Sequence, residues 1–136
     1  MNERILNKLS ESKDSVSVVE ENLPDTYEKF FQMNRLERDG IYKNIEFAIQ
    51  NVLDICAIIM KEENLKVPGS DEMMLNELKS AAIMSDDIIE KIKQMKGFRN
   101  LLVHRYGPLD DKIAYGDIKK GLDDFQNIFH EIKKVM

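Results

Sequence analysis

The chain has 136 residues, a third of them charged, with 25 Asp and Glu against 20 Lys and Arg and a formal net charge of −5; such a balance gives no overall basic field for nucleic acid and leaves any polyanion contact to a local patch. The lone cysteine, Cys56, excludes an intrachain disulfide, and two well-separated histidines form no Cys/His cluster with zinc-ligand spacing. The opening MNERILNKLSESKD lacks an apolar leader core, and no stretch reaches ~18 uninterrupted apolar residues, so the expectation is a cytoplasmic protein with no membrane contact, one domain across residues 1–136, needing neither metal nor cofactor.

Few glycines and prolines interrupt long mixtures of Leu, Ile, Lys, Glu and Ala, which predicts an all-α fold. Residues 2–22, with Ile5, Leu6, Leu9, Val16 and Val19 at helical spacing, form a first helix that stops before Pro24. Asp25 is expected to cap a long second helix running to about Asn64 on Tyr27, Phe30, Phe31, Ile41, Ile45, Ala48, Ile49, Val52, Cys56 and Ile59, softened at Gly40. In its VLDICAIIM run, Val52 to Met60, apolar residues spread around almost the whole circumference. That requires burial on more than one side and suggests a subunit interface on one of them. LKVPGSDE is a loop, after which Ser70 or Asp71 opens a short third helix to about Lys79. Ser85 caps a fourth, with Asp86 and Asp87 in its first turn where the helix dipole favours negative charge. Gly107 and Pro108 stop it, and about Tyr115 to Val135 forms the last helix on Ile118, Leu122, Phe125, Ile128, Phe129 and Ile132. Four or five helices with short connections predict an antiparallel bundle.

The fourth helix ends in RNLLVHRY, Arg99 to Tyr106. At ~100° per residue, Ile88, Ile92, Met95, Leu102 and Val103 define its core stripe, and Arg99 and Tyr106 fall in the middle of that stripe. Asn100 and His104 lie together on its shoulder, four residues apart, while Leu101 points to the polar side. A guanidinium cannot shed its charge, so a buried Arg99 must be met by something. Asp54, an acid stranded in the apolar second helix, is a candidate for a structural pair. Taken singly, His104 reads as a satisfied helix-end histidine, Tyr106 as a core-edge residue and Arg105 as a solvated one. Together at one helix end, an arginine, an imidazole, an Asn able to orient it and a phenol point to chemistry. If the helix continues straight, Arg99 and His104 diverge by about 140°, so either local distortion or convergence across a dimer must bring them together if they act on one group.

The stretch GFRNLLVHRYGPLDD, with Arg99 and His104 in an R-x-x-x-x-H-x-Y pattern ending at Tyr106, resembles the signature of the HEPN superfamily, in particular its HepT-like toxin branch. The likeness extends over IEFAIQNVLDICAIIM, the P-x-x-x-E of Pro68 and Glu72, and the last amphipathic helix. It implies an all-α homodimer with the motifs facing across an inter-subunit cleft, a metal-independent endoribonuclease in which Arg99 and His104 are catalytic and Asn100 is the arginine's polar neighbour. It further implies a nucleotidyltransferase antitoxin of MntA-like type that silences the toxin by placing AMP on Tyr106, within a homodimer or a larger complex. Arg105 and Asp54 are then supporting residues near RNA, with Asp54 and Glu46 either orienting the motif or balancing charge. A second reading is a non-catalytic nucleotide- or substrate-binding partner of a minimal nucleotidyltransferase, and a third is a bundle with no site. A titratable histidine beside an arginine favours the nuclease; the overall acidity weighs against it, because phosphate contacts normally carry much of RNA affinity.

Overall fold

The computed structural model describes residues 2–66, 68–104 and 110–136. Six helices follow in order: α1 (Glu3–Asn22), α2 (Tyr27–Gln32), α3 (Arg35–Glu62), α4 (Asp71–Ser80), α5 (Asp86–Val103) and α6 (Asp111–Val135), with no strand among the described residues. The fold is all-α, as its composition predicts. Side-chain pairs fix the directions of the long helices. Lys8 meets Asp54 and Ser12 meets the Ala48 carbonyl, so α1 and α3 run antiparallel. Gln126 reaches Glu20, and Lys13 lies over the Phe129 ring, so α1 and α6 are antiparallel too.

Short polar side chains start the helices by accepting from backbone N–H groups that have no partner within the helix. Ser70 and Ser85 do so as expected, taking hydrogen bonds from Met73 at 3.2 Å and Ile88 at 3.3 Å. Three boundaries differ from the sequence expectation, one of them the end of α5 at Val103, ahead of Gly107. The long second helix is two helices, and Thr26, not Asp25, caps the first by accepting from Lys29 at 3.2 Å. Met33 turns extended at ψ 149, and Asn34 then caps α3: its Oδ1 accepts from the Glu37 N–H at 2.8 Å while its Nδ2 donates to the Glu37 carboxylate at 2.7 Å. That reciprocal pairing overrides the continuous apolar spacing. Arg38 closes the break by donating to the Phe31 and Met33 carbonyls left open at the end of α2. The last helix begins at Asp111, earlier than Tyr115, because the Asp110 carboxylate accepts from Lys112 at 3.0 Å and Ile113 at 3.2 Å. Asp39-Gly40, a hairpin dipeptide in other surroundings, sits inside α3 because the residues around it repeat with helical period.

The core forms along α3. Val52, Leu53, Ile55, Cys56, Ile58, Ile59 and Met60 are all buried, and α1, α4 and α5 of the same chain pack against this helix. The all-round apolar run is thus covered within one chain, which removes the reason for placing a subunit interface there. Burying each large aliphatic side chain contributes about 1.5–3 kcal/mol, so α3 anchors everything else. Burial, with the Asp71 carboxylate adding to it, pushes the Cys56 thiol up to about 12, which keeps it an inert core residue. On the surface Glu72 clamps α4 to α5 through Lys96 at 2.6 Å and Lys93 at 3.4 Å. Hydrogen bonding from Lys96, then from Lys93, holds the Glu72 carboxyl below its ordinary value. The clamp is therefore complete above the usual carboxylate range and is lost as pH falls through the lowered value.

α3 and α4 end alike. Leu65 N–H donates to the Met60 carbonyl and Asn64 N–H to Lys61; Ile83 N–H donates to Leu78 and Ala82 N–H to Lys79. These are the paired bonds of the Schellman motif, which needs a left-handed residue at its turn. Asn64 at φ 57 and Ala82 at φ 56 supply it. Asn tolerates this conformation, whereas the Ala Cβ crowds the following carbonyl at a cost of ~1 kcal/mol or more. Ala82→Gly is therefore expected to raise stability by about 0.5–1 kcal/mol after the added freedom of the unfolded chain is subtracted. The check is a urea midpoint that moves upward at unchanged slope; an unmoved or lower midpoint would show the position to be unstrained.

Candidate active site

α5 stops at Val103. The His104 N–H still donates to the Asn100 carbonyl at 2.9 Å, but His104 itself leaves the helix at φ −106 and ψ 56. Arg99 and His104 both line one cleft of about 360 Å³, together with Lys43, Glu46, Phe47 and Gln50 of α3 and Asn100 and Val103 of α5. The 140° offset does not keep the two side chains from bordering one cavity, since Asn100 and Val103 of the same helix border it too. Val103, expected in the core stripe, is 47% exposed and forms cleft wall, while Leu101 is exposed as its helical angle requires.

The Arg99 side chain is 17% exposed and is held from three helices. Its Nη2 donates to the Asp71 carboxylate of α4 at 2.9 Å and to Asn100 Oδ1 at 2.9 Å, and its Nη1 donates to Gln50 Oε1 of α3. Its Nε is buried with no partner among the described residues. The acid that meets Arg99 is therefore Asp71, and the expectation of a direct Asp54–Arg99 pair is corrected. Asp54 lies one turn beyond Gln50 on the side of α3 that α1 covers, where Lys8 Nζ donates to its Oδ2 at 3.0 Å and Gln50 Nε2 to its Oδ1 at 2.8 Å. Asn100 gives its side-chain oxygen to Arg99, as the polar neighbour that the resemblance implies, and not to His104.

Glu46 is bound by Lys43 at 2.7 Å on the cleft wall, and His104 is exposed. The cleft lining thus has two permanent cations, Lys43 and Arg99, against one carboxylate, in a chain that is acidic overall. Arg105 and Tyr106 lie outside the described residues. At the start of α6, Asp111 accepts a hydrogen bond from the Tyr42 hydroxyl of α3. Among the described residues no group of three His, Cys, Asp or Glu side chains is placed to share a cation. A second cavity of about 380 Å³ between α3, α5 and α6 is lined mainly by Ile45, Ile49, Phe98, Leu101 and Phe125, with Asp117, Lys120 and Asp124 beside them, and holds none of the motif's polar groups. Sequence reasoning missed Gln50 and Asp71. Gln50 and Asp54 have the four-residue spacing of a helix-surface pair, and Asp71 stands in the first turn after the Ser70 cap, but neither feature names Arg99 as its target.

Residues 12–132 match the family model described as Ribonuclease HepT-like. The chain is 24% identical over 133 residues to the mRNA nuclease HepT of Shewanella oneidensis, covering 98% of each. It superposes on a tri-AMPylated HEPN toxin of Shewanella oneidensis, solved in complex with MNT antitoxin, with a TM-score of 0.88 at 24% identity over 98% of this chain and 99% of that one. Bacillus subtilis YutE, a cytosolic protein of unknown function, shares the fold with a TM-score of 0.77 at 16% identity, over 97% of this chain and 87% of that one. No helix among the described residues is long and apolar enough to cross a membrane. With the match extending over nearly its whole length, the chain belongs to the ribonuclease HepT-like family.

Proposed function

We propose that the chain, as a single helical domain across residues 1–136, is the toxin of a toxin–antitoxin pair, a metal-independent endoribonuclease that uses Arg99 and His104 and is silenced when a nucleotidyltransferase antitoxin places AMP on Tyr106. The observation that carries this reading is the shared cleft: two side chains that a straight helix would separate by about 140° line one cavity. RNA cleaves when its 2′-hydroxyl loses a proton and attacks the adjacent phosphorus, the bond to the 5′-oxygen breaks, and that oxygen takes up a proton. The products are a 2′,3′-cyclic phosphate and a 5′-hydroxyl. A histidine suits either proton transfer, and His104 is the exposed imidazole at the cleft. Arg99 binds the phosphoryl oxygens as their charge grows. A homodimer would bring a second His104 to the opposite side of the phosphate, giving a base and an acid from two identical chains.

The same likeness supports the regulatory part. A tri-AMPylated toxin with an MNT antitoxin is among the solved structures that share this fold, and Tyr106 stands two residues beyond His104. In the transfer, the Tyr106 oxygen bonds to the α-phosphorus of ATP and pyrophosphate leaves. The new phosphodiester anion is carried on the motif itself and competes with RNA by charge and by bulk.

Purified chain in EDTA is expected to cleave a single-stranded RNA oligonucleotide and to leave 2′,3′-cyclic ends. Arg99→Ala and His104→Ala should each lower the rate by about 10²-fold or more while keeping the helical circular dichroism of the wild type. Full activity in either variant, or a wild type that binds RNA without cutting it, would favour the binding-subunit reading. Asp71 is 40% exposed and can be rehydrated when Arg99 is removed, and a cooperative urea transition retained in Arg99→Ala would separate lost cleavage from lost folding. Incubation with the nucleotidyltransferase and ATP should place AMP on the tryptic peptide containing Tyr106 and abolish cleavage. An unmodified Tyr106 in an inactivated toxin would move the switch elsewhere.

A further inference from the structure

We propose that Asp54 is a positioning residue for Arg99, acting through the side-chain amide of Gln50; this rests on the reading of Arg99 as the phosphate-binding group. An amide has a donating and an accepting end, and only one orientation of Gln50 fits. Its Nε2 donates to Asp54 Oδ1 at 2.8 Å and its Oε1 accepts from Arg99 Nη1. Turned over, the amide would set donor against guanidinium and acceptor against carboxylate. Lys8, donating to the other Asp54 oxygen at 3.0 Å, keeps Oδ1 for the amide.

The arginine makes this orientation consequential. A guanidinium has five N–H donors. Both on Nη2 are engaged, by Asp71 and Asn100, and Nε is buried without a partner among the described residues. One Nη1 hydrogen goes to Gln50. The other Nη1 hydrogen is the donor left for a phosphoryl oxygen, and its direction follows from where Gln50 holds its twin. Gln50 itself lines the cleft with Arg99 and His104. The acid stranded in the apolar VLDICAIIM run thus sets the polarity of the amide that aims the last free donor.

The test uses the full chain with a fluorescent single-stranded RNA oligonucleotide and, in parallel, side-chain 15N NMR of Arg99. Gln50→Ala should lower kcat about tenfold, the worth of one hydrogen bond to a charged group, and Asp54→Ala by about threefold or more, each with KM nearly unchanged. Asp54→Asn combined with Lys8→Met, where the one remaining oxygen is left for Nε2, should restore most of the rate. The Gln50→Ala, Asp54→Ala double variant should be no slower than Gln50→Ala alone, whereas independent structural damage would multiply. In NMR, hindered rotation of the Arg99 Nη1 group should be present in the wild type and lost in Asp54→Ala. An unchanged NMR signature, an unchanged kcat in an active protein, or multiplied effects in the double variant would overturn the proposal. A wild type that cuts no RNA, but loses the hindered rotation in Asp54→Ala, would keep the positioning role and overturn the nuclease reading instead.

Discussion

The structure turns on the cost of keeping a guanidinium mostly out of water. Arg99 cannot discharge itself, and a buried unpaired cation would cost several kcal/mol. The fold meets that cost from three directions, with a carboxylate from α4, an amide oxygen from α3 and another from α5 itself. None of these partners can be released without loosening the others, because all of them hold the same planar group. α4 is short and would be marginal as an isolated helix. Its Ser70 cap, its Schellman ending and the Glu72 clamp onto α5 together hold Asp71 where Arg99 needs it.

The cleft follows from this arrangement. Because α3 is buried by other parts of its own chain along Val52 to Met60, its earlier turns are free to present Lys43, Glu46, Phe47 and Gln50 to α5. The helix that carries Arg99 then ends before His104, and the imidazole reaches the same space. The R-x-x-x-x-H spacing makes physical sense as a helix followed by an exit: one residue anchored in the last turns, the other just past the end.

Much of this is legible in the sequence, for physical reasons. The helical period of Ile88, Ile92, Met95 and Leu102 defines the face of α5 and puts Arg99 on it, and all four of those apolar residues are buried. Ser70 and Ser85 announce their caps. The break at Met33 is also written there, in the Asn34-x-x-Glu37 capping box, but the apolar spacing of Tyr27 through Ile59 runs across it and conceals it. The partner of Arg99 is not legible. Periodicity locates a residue on its own helix and says nothing about which neighbouring helix brings which acid, so Asp54, conspicuous in an apolar run, reads as the pair of Arg99, although Gln50 separates them. The conspicuous residue and the contacting residue differ because tertiary packing, and not local pattern, chooses across helices.

An acidic chain faces a general difficulty in handling RNA, since counterion release through many phosphate contacts normally supplies the affinity. Here the positive charge is gathered locally, in Lys43 and Arg99, and even that is offset by Glu46 on the wall and Asp71 behind the guanidinium. Such a cleft has little surplus attraction for a polyanion. In the proposed reaction its worth lies in direction more than in charge, with a single free donor aimed by a chain of hydrogen bonds that begins at Lys8 on α1. This also explains why one added anion would suffice as a switch. A site with a large positive excess could absorb an AMP group on Tyr106 and still bind RNA, whereas a site whose Lys43 and Arg99 are balanced by Glu46 and Asp71 could not.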